Sequence, residues 1–284
     1  MGIGRVMVVG AGIMGSGIAQ ACMEAGMETL LVDVSREYAE RGASNIAHYL
    51  QRKVEKGRMT AEVREEALQK LTVVDELKQG ADCDIIIEAV TENPEIKKKV
   101  FAQLSSICKE NAILASNTST LSLTMLGGAT DCPENVIGLH FFVPAPVMKL
   151  IEVIPGLLTS EETVERATQF AKDINKIPVK APDTSAFLVN RLLVPMWNEA
   201  MFLVQEGNKP EDIDLAMKLG GNLPMGPLEL ADFAGLDTVL AVMTTMHTDL
   251  GEEKYRPCPL LKKMVNAKLL GRKSGKGFYN YEKK

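Results

Sequence analysis

Short apolar runs recur through the first 180 residues, separated by stretches in which apolar positions return every three or four residues. The runs lie at 5–9, 29–32, 71–74, 84–88, 112–116, 136–140, 150–154 and 177–180. Strand-length runs alternating with helical periodicity predict a parallel sheet covered by helices on both faces, a doubly wound α/β architecture. The run of helical pattern from 35 to 57, followed by a second from 60 to 70, exceeds a minimal strand–helix–strand unit and predicts a projecting helical pair. Beyond Pro178, Pro182 and Asp183 the pattern changes. Helical stretches cover about 185–207, 210–219 and 227–250, with no further strand run. Their apolar faces predict a surface that pairs with a second copy, as a homodimer or higher homo-oligomer, unless they pack against the first domain alone.

The first run, Val6-Met7-Val8-Val9, leads into Gly10-Ala11-Gly12-Ile13-Met14-Gly15 and then an amphipathic stretch. A G-x-G-x-x-G turn between a strand and a helix is a dinucleotide-binding signature in context. Gly10 permits the tight turn, Gly12 lets backbone N–H groups approach a pyrophosphate, and Gly15 lets the helix pack on the strand. The phosphates then face the helix N-terminus at Gly12, Ile13 and Met14. The second run ends at Asp33, close to the spacing of about 20 residues expected of a ribose-binding carboxylate. The fold class is therefore a Rossmann-like doubly wound sheet over 1–183, followed by an all-helical domain over 184–284.

Asp33 favours NAD. Its carboxylate accepts from a 2′-hydroxyl but opposes a 2′-phosphate, and two unit charges about 4 Å apart interact by about 4 kcal/mol at an effective dielectric near 20. Arg36 is the cation that could offset this and admit NADP. The alternative role for Asp33 is a helix cap, with Ser35 as the rival cap.

At 284 residues the chain can bury a large core in one or two domains. Its net charge of −5 and scattered basic residues, apart from Lys97-Lys98-Lys99, exclude a nucleic-acid surface. Five cysteines, far apart and without a C-x-x-C pair, indicate neither a disulfide framework nor a zinc site, and no metal is expected. With a strand starting near residue 3 and no uncharged apolar stretch of about 18 residues, neither a leader nor a membrane span is expected, and the expected compartment is the reducing cytoplasm.

Of three histidines, His48, His140 and His247, His140 alone ends an apolar run, in Val-Ile-Gly-Leu-His-Phe-Phe. Strand C-termini in open α/β sheets face the ligand crevice. When a hydride leaves an alcohol carbon the hydroxyl proton must also go, and a positioned histidine can take it. Glu152 is a carboxylate inside the apolar run Leu-Ile-Glu-Val-Ile, where a buried charge needs a partner. If the two strands are neighbours, Glu152 orients the His140 ring. A core histidine and a solvent-facing edge carboxylate are the alternatives. Ser116-Asn117-Thr118-Ser119 follows a strand, and Asn190 opens the second domain beside Arg191. These groups read equally as helix caps and a solvated helix face.

The chain resembles the 3-hydroxyacyl-CoA dehydrogenase family nearly end to end, in GAGIMGSGIAQ from Gly10, Glu88-Ala89-Val90-Thr91-Glu92, Ala115-Ser116-Asn117-Thr118-Ser119, GLHFF from Gly138, PVMKLIEVI from Pro146, Asn190-Arg191, PMGPLELADFAGLD from Pro224 and GRKSGKGFYNY from Gly271. The resemblance implies a CoA-thioester substrate, acetoacetyl-CoA or a 3-hydroxyacyl-CoA. It assigns His140 as acid/base, Glu152 as its orienting partner, and Ser119 and Asn190 as substrate-positioning groups. It also implies that Ala89, Glu92, Lys97, Asn117 and Ser119 lie along NAD, and that Lys53 and Lys56 lie near the CoA phosphates. Without it all three lysines read as ordinary solvated residues.

The chain departs from the family pattern at Val143, where an asparagine usually follows His-Phe-Phe, and at Leu223, where histidine or tyrosine is frequent. Loss of one hydrogen bond, on the order of 1 kcal/mol, predicts altered binding or rate at Val143 rather than loss of activity. Rival readings are a dehydrogenase of a free hydroxy acid and a non-catalytic NAD-binding structural relative. The intact His140 and Glu152 oppose the second, and Lys53 and Lys56 oppose the first.

Overall fold

The structure is a computed structural model and describes residues 2–282. They divide into two compact units with the boundary after Asp183.

The first unit is built on an eight-stranded sheet of order β3-β2-β1-β4-β5-β6-β7-β8. The strands are β1 (Arg5–Val9), β2 (Glu28–Val32), β3 (Leu71–Val73), β4 (Ile85–Glu88), β5 (Ile113–Ser116), β6 (Val136–Phe141), β7 (Leu150–Pro155) and β8 (Ile177–Lys180). The first six run parallel in the order that binds dinucleotides at its reversal point, between β1 and β4. The alternating pattern predicts a parallel sheet throughout, and the last two strands depart from that expectation. β7 pairs antiparallel with β6, and β8 runs parallel to β7. Residues 142–149 between β6 and β7 contain no helix, so the chain returns along the neighbouring strand in the opposite direction.

Central strands buried on both faces require continuous apolar residues, and Ile85–Ile87, Ile113–Ala115 and Val6–Val8 are each fully buried. The intervening helices start at side-chain caps: Ser35 accepts from Tyr38 N for α2 (Arg36–Glu55), Thr60 from Val63 N for α3 (Ala61–Gln69), and Asn93 from Glu95 N and Ile96 N for α4 (Pro94–Ile107). α2 and α3 do not stand clear of the domain. Ile46 and Leu50 of α2 and Ala67 of α3 enter the same core as β1 and β4, each large side chain contributing about 1.5–3 kcal/mol. α5 (Leu123–Gly127) and α6 (Glu161–Asp173) complete the unit.

The second unit packs α7 (Val189–Gln205), α8 (Pro210–Leu219), α9 (Pro227–Ala234), α10 (Leu236–Leu250) and α11 (Pro259–Asn266) around Trp197, Met201, Leu228, Val239, Met243 and Leu261. The single helix expected over 227–250 is two. Gly235 adopts φ +96°, ψ 122°, outside the helical region and open to glycine, and separates α9 from α10. α11 falls after Pro259 in a stretch assigned no helix from the sequence. The tail then folds back through two isolated bridges, Gly271–Lys276 and Lys276–Asn280. Two buried carboxylates fasten it. Asp232 accepts from Phe278 N, Tyr279 N and the Tyr281 hydroxyl, and Asp214 accepts from Tyr279 Oη at 2.7 Å.

Candidate active site

The glycine turn separates what the protein's own packing requires from what it does not. Gly10 has φ +102°, and a Cβ there would lie 2.6 Å from the Ala89 carbonyl; at Gly15 it would lie 1.7 Å from the Gly10 carbonyl. A Cβ at Gly12 would meet no protein atom within 4 Å. Packing therefore explains two glycines, and the third leaves an opening at the start of α1 (Ile13–Glu24), whose N-terminus has no side-chain cap and no acidic residue in its first turn. Uncapped N–H groups beside an open backbone suit a pyrophosphate. Asp33 closes the turn: its Oδ2 accepts from Ala11 N at 2.6 Å and its Oδ1 from Val34 N at 2.7 Å. Ser35 caps α2, so Asp33 is not the cap. The Arg36 guanidinium donates to Glu40 and to both oxygens of Asp75, hydrogen bonds that hold its pKa above the ordinary value.

The C-terminal ends of β1, β4, β5 and β6 form one edge, with Val9 opposite Glu88, Glu88 opposite Ser116, and Ser116 opposite Gly138. His140 stands on this edge, 6 % exposed. Directly opposite it in the antiparallel ladder is Glu152, fully buried, and His140 Nδ1 donates to Glu152 Oε2 at 2.6 Å. The edge-carboxylate alternative thus fails, and the neighbouring-strand condition is met. The Phe142 ring lies against the imidazole, with centroids 4.6 Å apart.

A second buried group underlies the edge. Lys97, from the first turns of α4, is fully buried, with Nζ 2.6 Å from Glu88 Oε1 and 3.2 Å from Glu92 Oε2. It is not the solvated lysine its place in Lys97-Lys98-Lys99 suggests. Glu88 also accepts from Val90 N and Ser116 Oγ, both at 2.7 Å. Glu92 accepts from Thr118 Oγ1 at 2.5 Å, Ser119 N at 2.9 Å and Thr120 Oγ1 at 3.2 Å. Burial pushes the Glu92 carboxyl upward, but the Lys97 charge and these hydrogen bonds outweigh it and hold the group below the usual carboxylate range. Sequence reasoning missed Glu88 as a working residue. The signal present was a carboxylate ending the apolar run Ile85-Ile86-Ile87, a position that demands a buried cation.

Asn117 joins β5 to β6, its Oδ1 accepting from Phe141 N at 2.9 Å. Ser119 is half-buried beside Glu92, with Ala89 at the neighbouring strand end. Val143, three residues beyond His140, is 49 % exposed. Lys53 is paired with both oxygens of Glu24 at 2.7 Å, whereas Lys56 is exposed at the end of α2. In the second unit Asn190 is half-buried in the first turn of α7, and Leu223 is half-buried ahead of α9. Among the described residues no cluster of three or more His, Cys, Asp or Glu could hold a metal, and no helix is long and apolar enough to cross a membrane.

A dinucleotide turn and a histidine–carboxylate pair on one sheet edge define an NAD-dependent dehydrogenase. Comparison with known proteins narrows the class. The model of the 3-hydroxyacyl-CoA dehydrogenase NAD-binding domain matches residues 5–184, and that of the family's C-terminal domain matches 187–281. The chain belongs to the 3-hydroxyacyl-CoA dehydrogenase family. A probable 3-hydroxybutyryl-CoA dehydrogenase of Bacillus subtilis is 49 % identical, the match covering 100 % of this chain and 99 % of the relative. The crystal structure of an (S)-3-hydroxybutyryl-CoA dehydrogenase from Ralstonia eutropha superposes with a TM-score of 0.96 at 44 % identity, covering 99 % of this chain and 100 % of that one. A diketoreductase acting on dicarbonyl compounds matches with a TM-score of 0.86 at 28 % identity, over 99 % of this chain and 100 % of the other.

Proposed function

We propose that this protein interconverts acetoacetyl-CoA and (S)-3-hydroxybutyryl-CoA with NAD(H). The observation that carries the reading is the 2.6 Å contact of His140 with Glu152 on the edge shared with the glycine turn. The names of the 49 % and 44 % identical relatives support the substrate.

Glu152 engages Nδ1, which makes Nε2 the atom that exchanges a proton with the substrate oxygen. In reduction Nε2 gives its proton to the C3 carbonyl oxygen; in oxidation it takes the proton from the C3 hydroxyl. The buried carboxylate stabilises the imidazolium and prevents the ring from turning. Bound nicotinamide supplies the hydride in one direction and accepts it in the other. Gly10, Gly12, Ile13, Met14 and Gly15 would hold its phosphates, Asp33 its adenosine ribose, and Ala89, Glu92 and Asn117 the strand-end portion. Lys97 acts on the cofactor through Glu92, since its ammonium is enclosed by two carboxylates. Ser119 positions the acyl group, and Lys56, exposed where Lys53 is taken up by Glu24, attracts the CoA phosphates. Asp33 with a committed Arg36 favours NADH over NADPH. The exposed Leu192, Leu219 and Phe233 of the second unit support self-association as a homodimer or larger assembly.

The test follows absorbance of NADH, and separately NADPH, with acetoacetyl-CoA as oxidant. The expected result is turnover that prefers NADH and falls by about 10²–10⁴-fold in His140→Ala. Folded protein that binds NADH without turning over, or a His140→Ala chain as fast as the parent, rejects the reading.

A further inference from the structure

β3 runs parallel to β2 with Leu31 opposite Val73, and Val74 N donates to the Leu31 carbonyl at 3.0 Å. The same register, carried on by two residues, brings Asp75 to the level of Asp33, at the strand ends where α2 begins. The backbone of Asp75 is fixed there. Its N–H and that of Glu76 both donate to Gln79 Oε1 at 3.0 Å, ahead of the 3-10 turn Leu77–Gly80. The carboxylate reaches across to Arg36, the first residue of α2, and both its oxygens accept from Nη1, at 3.1 and 3.0 Å. Arg36 Nε donates to Glu40 Oε1 at 2.7 Å, one turn further along α2. The Arg36 and Asp75 side chains are 56 % and 53 % exposed, and ion pairs so exposed contribute little to folding. What the contact does fix is the direction of a guanidinium three residues beyond Asp33.

We propose, on the reading of the glycine turn and Asp33 as the NAD(H) site, that Asp75 is a specificity-determining residue: it holds Arg36 away from the position of a 2′-phosphate and so disfavours NADPH. In a doubly wound fold the adenosine ribose lies at the end of the second strand, where a carboxylate takes the 2′-hydroxyl and a nearby arginine accommodates a 2′-phosphate. Both residue types are present here, as Asp33 and Arg36. The guanidinium fork matches phosphate geometry, and its charge would offset the repulsion from Asp33. In this chain the fork is already taken up by carboxylates from two elements, Glu40 on α2 and Asp75 beyond β3. A 2′-phosphate must displace Asp75 from Nη1 and approach a second negative charge. Glu40 engages Nε, so loss of Asp75 leaves Arg36 anchored on α2 with Nη1 released. Discrimination between the two nucleotides is thus shared between Asp33, which meets the ribose, and Asp75, which acts through Arg36. The arginine is visible in the sequence; its captor, 39 positions on, is not.

The test reads binding without any acyl-CoA, so failure of the substrate reading leaves it intact. The protein is titrated with NADH and with NADPH, following nicotinamide fluorescence, and each variant is scored by the ratio of the two Kd values. Asp75→Ala should shift the ratio towards NADPH by about fivefold, the scale of one charged contact at an exposed site. In an Arg36→Ala background the same substitution should shift it by less than about twofold, because no guanidinium is released and the lost charge is screened by solvent and salt. A merely structural ion pair would not couple the two positions in this ratio. All the variants are expected to keep the parent's thermal midpoint, given the exposure of both side chains. Asp75→Asn, of nearly equal size, replaces Asp75→Ala if the midpoint falls. An unchanged ratio in Asp75→Ala overturns the proposal, and so does an equal shift in both backgrounds, which assigns the effect to lost negative charge alone. A parent that binds neither nucleotide rejects the dinucleotide reading and the proposal with it.

Discussion

Val143 shows how much one side chain at the strand end can decide. It is half-exposed three residues past His140, and its side chain offers no hydrogen bond. Supplying an amide in Val143→Asn should change KM or kcat by about fivefold, the value of roughly 1 kcal/mol. If both constants stay unchanged under steady-state assay with acetoacetyl-CoA, Val143 has no such role. Gly12 teaches the complementary lesson. Its motif was legible in the sequence, but only the structure shows that Gly10 and Gly15 satisfy the protein's packing while Gly12 faces open space.

The helix α4 and the strand end it supports form a unit in which Lys97 is the common element. With Lys97→Met, Glu88 and Glu92 lose their cation, and breaking a buried pair costs about 3–5 kcal/mol. Glu92 is depressed in the folded state, so its stabilising increment is present above the ordinary value of 4.5 and lost only as pH falls through the lower folded value. Removing Lys97 leaves burial to raise Glu92, so the increment that acid would remove is gone and protonating Glu92 relieves the variant. Thermal midpoints measured from pH 4 to 8 should therefore lie below the parent's at neutral pH and approach it towards acid in Lys97→Met; a gap that stays constant across the range would remove Lys97 from this role. The network was only half legible. Periodicity locates α4 and β4, but whether a lysine on a predicted helix points to solvent depends on the carboxylates that a neighbouring strand brings beneath it. The same limit explains β7. An apolar run predicts a strand without its direction, and direction is set by the connection, here residues 142–149 without a helix. At 227–250 the helical period ran on through Gly235, and the backbone left the helix there.

For the molecule as a whole, the substrate reading turns on how remote contacts are used. If the CoA moiety supplies binding energy for the chemical step, acetoacetate should be reduced far more slowly than acetoacetyl-CoA. Equal rates for the two would reject the CoA reading. Sedimentation velocity should show a dimer or larger assembly; a monomer across micromolar concentrations would assign the exposed apolar residues of the second unit elsewhere. The doubly wound sheet and the helical segment after it were readable from the change of period. Strand order was not, because it depends on crossovers that leave no mark in a hydropathy pattern. The antiparallel pairing of β6 with β7 also bears on how rigidly the proton-handling pair is held. His140 and Glu152 face each other across a ladder, so their contact is fixed by the register of the two strands. Residues 142–149 that join them are themselves anchored, with Ala145 in the core and the Lys176 ammonium donating to the Ala145 and Met148 carbonyls, so histidine, carboxylate and connection move as one body.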